Sequence, residues 1–249
     1  MKILVCISNV PDTTTRPAFS ADGSKLETAG IQWIVNPWDE LALTRALDLK
    51  ESAGSGITEV NVAGVGNPST EAVLRKALAI GADRAFRVDV EPLDSWQAAS
   101  QIAELLKRDA HDLVIVGTDS SDYNGSAVGP MLAELLDLPS ISAVSGLELK
   151  DGAFLVKREV DGGSEILEPA IPLVLVVQKG IAKEPRIPSM RGVMSARTKP
   201  LQVISPVSVA PRAGMSSFQP PPPRGACKKL DPENMSELVR LLHQEARVI

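Results

Sequence analysis

The sequence predicts an α/β protein: an open, mostly parallel, doubly wound sheet, with a β-hairpin region and an extended C-terminal arm. Three observations carry this. Short continuous apolar runs, such as residues 2–8 (KILVCIS) and 111–117 (HDLVIVG), read as strands buried on both faces. Amphipathic stretches of helix length lie between such runs, an alternation that implies parallel strands joined by right-handed crossovers. After residue 204 the composition shifts: Pro206, Pro211 and Pro220 to Pro223 interrupt any packing pattern.

The elements follow in order. Residues 2–8 form the first strand; a polar stretch and residues 31–35 come next. Asn36-Pro37-Trp38-Asp39-Glu40 opens a helix that runs to about residue 53. Leu41, Ala42, Ala46, Leu47 and Leu49 give it an apolar stripe, and Gly54 and Gly56 end it. Residues 59–65 (EVNVAGV) are a strand, Ser69 or Thr70 caps a helix over 71–80, and Gly81 stops it. Residues 84–90 and 111–117 are further strands, separated by a helix from Ser95 to Leu106. A loop over 118–126 leads to a helix over 128–136. The rhythm then changes. Residues 147–150, 153–159 and 165–168 are short strands joined by Asp151-Gly152 and Asp161-Gly162-Gly163, both hairpin signals. Residues 172–178 (PLVLVVQ) return to a buried strand. The arm over 206–224 reads as extended. Residues 233–246 form an amphipathic helix with Met235, Leu238, Val239, Leu241 and Leu242 on or near one side.

With 249 residues, the chain suits one sizeable domain, over 1–205, plus an appendage, over 206–249. A hydrophobic share of 44% and a charged share of 23% are those of a soluble globular protein. The longest apolar run, 171–177, contains Pro172 and falls far short of a membrane span. The start of the chain has no cleavage-site pattern, so a cytoplasmic location is expected. Net charge is −5 and aromatics are 3%, which excludes a general nucleic-acid binder with its cationic, base-stacking surface. Two cysteines, Cys6 and Cys227, and two histidines, His111 and His243, form no metal-ligand spacing.

Two strand-to-helix turns are candidate phosphate cradles. Gly64-Val65-Gly66-Asn67-Pro68-Ser69 places glycines before a helix N-terminus, although it lacks both the third glycine of the dinucleotide fingerprint and the lysine of a P-loop. The loop from Gly117 to Pro130 is rich in hydroxyls and small residues. It also sits at a strand's carboxyl end, where open sheets bind ligands. No histidine lies near a serine or cysteine in the pattern of a nucleophile and its base, and Cys6 reads as a buried small hydrophobe. A nucleotide-type sheet without acid–base equipment reads as a binder or carrier, not a hydrolase.

Several motifs, taken together, resemble the beta subunits of electron-transfer flavoproteins. Asn36-Pro37-Trp38-Asp39-Glu40-Leu41-Ala42 is similar to that family's NP-x-D-x-x-A helix start. Ala77-Leu78-Ala79-Ile80-Gly81-Ala82-Asp83-Arg84 resembles its AL-x-x-GAD segment, and Arg158-Glu159-Val160-Asp161-Gly162-Gly163 its RE-x-DGG hairpin. Lys183-Glu184-Pro185-Arg186, followed by Met194, Ala196, Arg197, Lys199 and Pro200, resembles its EPR loop and the helix after it. The matches keep the family's order over about residues 1–205.

The resemblance implies a Rossmann-like, adenine-nucleotide-binding fold and a heterodimer with an alpha subunit, with an FAD shared between the two. Such a pair takes electrons from acyl-CoA dehydrogenases or similar flavoenzymes, as in fatty acid oxidation, and passes them to a quinone reductase or another acceptor. The beta subunit is a carrier with no catalytic residues of its own. Its pocket holds AMP or, in electron-bifurcating members, a second FAD. On this chain the resemblance places that pocket at Cys6 and Ser8, at Asn36, Pro37, Trp38 and Asp39, and at Val65 and Gly66. The pocket continues along the loop at Asp119, Asp122, Asn124, Gly125, Ser126, Ala127, Val128 and Gly129, with the phosphate expected on the amides of Gly125 to Gly129. Partner docking falls at Glu159 in the hairpin and at Ile187, Met190, Arg191 and Val193 in the recognition loop. The arm and terminal helix are expected to dock on the alpha subunit. The competing readings are a stand-alone nucleotide-binding protein, which leaves the EPR loop and DGG hairpin unexplained, and an ATP-using enzyme. The latter needs basic residues that 117–129 lacks.

Overall fold

The computed structural model describes residues 1–249, which group into two units: Met1–Arg16 with Thr28–Ser216, and Pro17–Glu27 with Ser217–Ile249. In the first, β1 (Lys2–Cys6) is followed by a two-stranded antiparallel ribbon of β2 (Asn9–Pro11) and β3 (Trp33–Val35), then α1 (Pro37–Glu51). β4 (Glu59–Val65), α2 (Thr70–Ile80), β5 (Ala85–Val88), α3 (Ser95–Arg108), β6 (Leu113–Gly117) and α4 (Val128–Leu136) continue the alternation. β7 (Ser140–Lys150), β8 (Ala153–Val160) and β9 (Gly163–Leu167) form a meander. β10 (Leu173–Val177), α5 (Met190–Ala196) and β11 (Leu201–Ile204) complete the unit.

Nine strands make one sheet in the order β11-β5-β4-β1-β6-β10-β7-β8-β9. Pairing is parallel from β11 to β7 and antiparallel across β7, β8 and β9. The fold is the open α/β sheet that the sequence predicts. Its double winding follows from side-chain alternation along buried strands. Ile3, Val5 and Ile7 share one core with Leu43 and Leu47 of α1 and Leu74 and Leu78 of α2. Leu4 and Cys6 point the other way, into a second core with Ile102 and Leu106 of α3 and Leu132 of α4. Each fully buried leucine contributes ~1.5–3 kcal/mol, so both faces of the sheet are held by helices.

Three strands depart from the sequence reading. β7 begins at Ser140, seven residues before the segment that its apolar pattern marks. Its first half, SISAVSG, is small and hydroxylated, and a register shift between Val144 and Gly146 follows the left-handed Ala143 (φ 56°). Up to Val144 β7 pairs parallel with β10; from Gly146 onward its partner is β8 alone. β11 and β2 are four and three residues long, too short for a period to show in sequence.

The second unit joins two distant segments. The rings of Phe19 and Phe218 stack with centroids 5.4 Å apart, and the Phe218 amide donates to the Gly23 carbonyl at 2.7 Å. Gly23 is left-handed (φ 67°), and Asp22 accepts from Ser20 and Ser24 hydroxyls in the same turn. The final helix is α6 (Met235–Leu241), prolonged by a π-helical turn, Leu242–Ala246. Met235, Leu238 and Val239 on its apolar side are exposed, and only Leu241 is buried.

Candidate functional site

β1 has β4 on one side and β6 on the other, and the chain reaches β6 from β5 by a crossover through α3 that passes both β4 and β1. Strand order therefore reverses beside β1, and the carboxyl end of such a junction is where open sheets bind ligands. A cleft of about 480 Å³ lies there. Its floor is Cys6, Ser8, Val65, Val116 and Gly117 at the ends of β1, β4 and β6; one wall is the loop before α4, and the other is the start of α3.

Asp39 is the strut beneath it. α1 delivers its carboxyl to the floor, where Oδ2 accepts from the Ser8 amide at 2.8 Å and Oδ1 from the Gly117 amide at 3.1 Å. One side chain thus ties the ends of β1 and β6, the two strands flanking the reversal. Burial pushes its carboxyl up to about 7, against the lowering effect of the Ser8, Asn36 and Gly117 donors. Gly117 must be glycine, because a Cβ would collide with Asp39 Oδ1 and lie 2.8 Å from Trp38 Cβ. Burial, reinforced by the Asp39 charge, raises the Cys6 thiol far above its ordinary value, so Cys6 is an apolar wall and not a nucleophile.

The loop before α4 has the geometry of an anion cradle. Asn124 and Ser126 are both left-handed (φ 49° and 47°), a conformation that non-glycine residues rarely adopt and that clusters at functional sites. The α4 N-terminus has no side-chain cap, and no acceptor in the chain pairs with the amides of Ser126, Ala127, Val128 or Gly129. These uncommitted donors and the helix's partial positive charge suit one phosphate. Asn36, fully buried, shapes the other end of the loop: its Nδ2 donates to the Asp119 carbonyl at 2.8 Å, and its Oδ1 accepts from the Ser121 amide at 3.2 Å.

Of the residues that the sequence marks for the pocket, Cys6, Ser8, Asp39 and Val65 line the cleft, as do Asp119, Asp122 and the run from Gly125 to Val128. The other six stand around it. Asn36 braces the loop, Pro37 opens α1, and Trp38 backs Gly117. Gly66 lets Thr70 of α2 approach, Asn124 turns the loop, and Gly129 lets α4 lie on Val176 of β10. His111 is buried beside Asn61 and the Asp109 carbonyl, where desolvation lowers its pKa, and His243 contacts the Ile249 carbonyl. Neither histidine lines the cleft.

The sequence reading missed the second wall. Glu91, Asp94, Trp96 and the segment from Arg212 to Met215 line it. Residues 207–213 are strapped to α3: Gln101 bonds both the amide and the carbonyl of Val207, and Gln97 Nε2 donates to the Val209 carbonyl at 2.7 Å. Asp94 caps α3 through the Gln97 amide with one oxygen and accepts from the Arg212 and Ala213 amides with the other. The helix start at Ser95 was legible in sequence. The strap was not, because its partners lie more than 100 residues away and its own side chains carry no period.

The residues that the resemblance marks for partner docking lie elsewhere on the unit. Ile187 is 90% exposed and Met190 80%, and Val193 and Arg191 are exposed on the same short helix, α5. Arg186 anchors this segment to α1: its amide donates to Thr44 Oγ1 at 3.0 Å, and its guanidinium pairs with Asp48 and Glu51. Glu159, on β8, accepts from the Ser145 hydroxyl, which holds its pKa below the usual carboxylate range, with Lys157 Nζ at 3.5 Å.

The electron transfer flavoprotein domain model matches residues 24–209. The electron transfer flavoprotein subunit beta of Bacillus subtilis is 33% identical, with the whole of both chains covered. The human subunit beta is 30% identical over all of this chain and 99% of its own. That of Methylophilus methylotrophus is 35% identical over 82% of this chain and 79% of its own. Beta subunits of this kind transfer electrons and are not catalytic enzymes. With its switch-point cleft and this likeness over its whole length, the chain belongs to the electron transfer flavoprotein family, as a beta subunit.

Proposed function

We propose that the chain works as one half of a heterodimer with an electron transfer flavoprotein alpha subunit. The pair accepts electrons from acyl-CoA dehydrogenase-type flavoenzymes and passes them to a quinone reductase-type acceptor. An FAD shared with the alpha subunit supplies the redox chemistry. This chain supplies docking surfaces and holds one AMP as a structural group. The observation that carries the nucleotide reading is the cleft at the β1/β6 switch point, closed at one end by the uncapped N-terminus of α4.

The residues present fit a mononucleotide. At about 480 Å³ the cleft lies toward the lower end of the range for small-molecule sites. Its inner floor, with Cys6, Val65 and Ile102, is apolar enough for a base. The amides from Ser126 to Gly129 are free to receive a phosphate. Asp39 holds the floor together without facing the phosphate as a free charge, because both its oxygens already accept hydrogen bonds.

Co-expression with an alpha subunit, size-exclusion chromatography and acid release of bound nucleotides test this reading. One FAD and one AMP per heterodimer is the expected result. Two FAD per heterodimer would assign the cleft to a second flavin and the protein to electron-bifurcating members. A chain that stays alone would overturn the heterodimer.

A further inference from the structure

The cleft has an electrostatic problem that its floor and loop do not solve. Glu91, Asp94, Asp119 and Asp122 all line it, and an anionic ligand entering meets their field. The lining has one basic side chain to offset them, Arg212, and it comes from the strap.

Arg212 is held in an unusual way. Its guanidinium lies over the Trp96 ring, 3.6 Å from the centroid, while its backbone amide is fixed on Asp94 Oδ2. Its guanidinium N–H groups make no hydrogen bond within the chain. A stacked guanidinium keeps its planar donor fork directed outward from its edge, and stacking removes much of the rotamer freedom that binding would otherwise have to freeze. The side chain is therefore ordered, charged and uncommitted, on the rim of a cleft already short of positive charge.

We infer that Arg212 is the phosphate-reading residue of this cleft, and that the strap over 207–213 exists to present it. The inference rests on the mononucleotide reading above and adds a specificity determinant to it: Arg212 distinguishes a nucleotide from its nucleoside. Gln97, Gln101 and Asp94 act through it as positioning residues, because they fix the strap that carries it.

The test is equilibrium dialysis of AMP and of adenosine against the heterodimer after its resident nucleotide has been exchanged out. Arg212→Gln should weaken AMP binding about tenfold, the scale of losing charge-assisted hydrogen bonds to a phosphate, and leave adenosine binding unchanged. Gln101→Met, which keeps Arg212 but cuts both bonds to Val207, should lose AMP to a similar extent. Raising salt should weaken AMP binding to wild type and have less effect on Arg212→Gln. An AMP-to-adenosine preference that is the same in wild type and Arg212→Gln would overturn the assignment. Wild-type heterodimer that takes up neither compound would overturn the mononucleotide reading on which it rests.

Discussion

Asp39 accepts a hydrogen bond from the amide of Gly117, 78 residues further along the chain, at 3.1 Å. With the matching bond from Ser8 at 2.8 Å, this single carboxyl sets the spacing of the two strand ends that form the cleft floor. The position has an energetic consequence that pH exposes. The folded pKa of about 7 stands above the ordinary value of 3.8. The native state therefore binds more protons than the unfolded chain between those limits, and stability from this group falls as pH rises through about 7. The full span amounts to about 4 kcal/mol as an upper bound. Thermal melts of wild type and Asp39→Asn from pH 4.5 to 8 should show wild type losing ground to the variant as pH climbs. Parallel curves would mean that Asp39 is charged throughout.

Gly129 lets α4 touch the sheet. A Cβ there would fall 2.5 Å from Val176 Cγ2 and 3.7 Å from Val116 Cβ. Gly129→Ala should cost about 1–3 kcal/mol through overpacking and should displace the α4 N-terminus, lowering nucleotide occupancy more than flavin content. Stoichiometric nucleotide in a variant that melts at the wild-type temperature would show that the helix yields without cost.

Met190 stands 80% exposed beside Ile187 at 90%, with Arg186 clamping the segment to α1. An apolar knob ringed by charge suits a small, transient contact. Burying one methionine side chain against the electron donor is worth ~1.5–3 kcal/mol. Met190→Ala should then raise the apparent KM for this protein roughly ten- to a hundredfold, with the melting temperature and the flavin spectrum unchanged. Arg186→Ala should raise the same KM and also lower stability, since it frees the segment from Thr44, Asp48 and Glu51. Unaltered donor kinetics in Met190→Ala would remove this surface from donor docking.

Glu159 sits on an exposed hairpin, hydrogen-bonded to the Ser145 hydroxyl. If a partner arginine pairs with it, the pair is an exposed one of ~0.2–1 kcal/mol, enough to shift an open–closed population several-fold at most. Glu159→Gln should slow electron transfer modestly at low salt and converge with wild type at high salt. Equal rates at every ionic strength would leave Glu159 as a solvated charge.

Residues 217–249 leave Met235, Leu238 and Val239 of α6 exposed. Truncation after Ser216 should keep the sheet unit, with the strap still bound to α3, and abolish co-purification with the alpha subunit. Circular dichroism and pull-down measure the two halves of that statement separately. A truncated chain that still assembles would place the contact on the sheet unit instead.

Local pattern was enough to read much of this protein. The three buried runs that became β1, β6 and β10 are continuous and apolar because both sheet faces are covered, so they stand out without any partner. Asn36-Pro37 announces α1, Ser95 announces α3, and the glycines and small residues over 117–129 mark a loop free to approach a ligand. Such signals are local: a strand's period, a cap and a turn lie within a few residues of each other. Strand order, the kink at Ala143 and the Asp39 strut were decided by tertiary structure, because each depends on groups brought together from separate elements. So was the cleft's second wall. Arg212 meets Trp96, 116 positions away in the chain, only after the strap has found α3, and a short segment without apolar periodicity carries no trace in sequence of where it will bind.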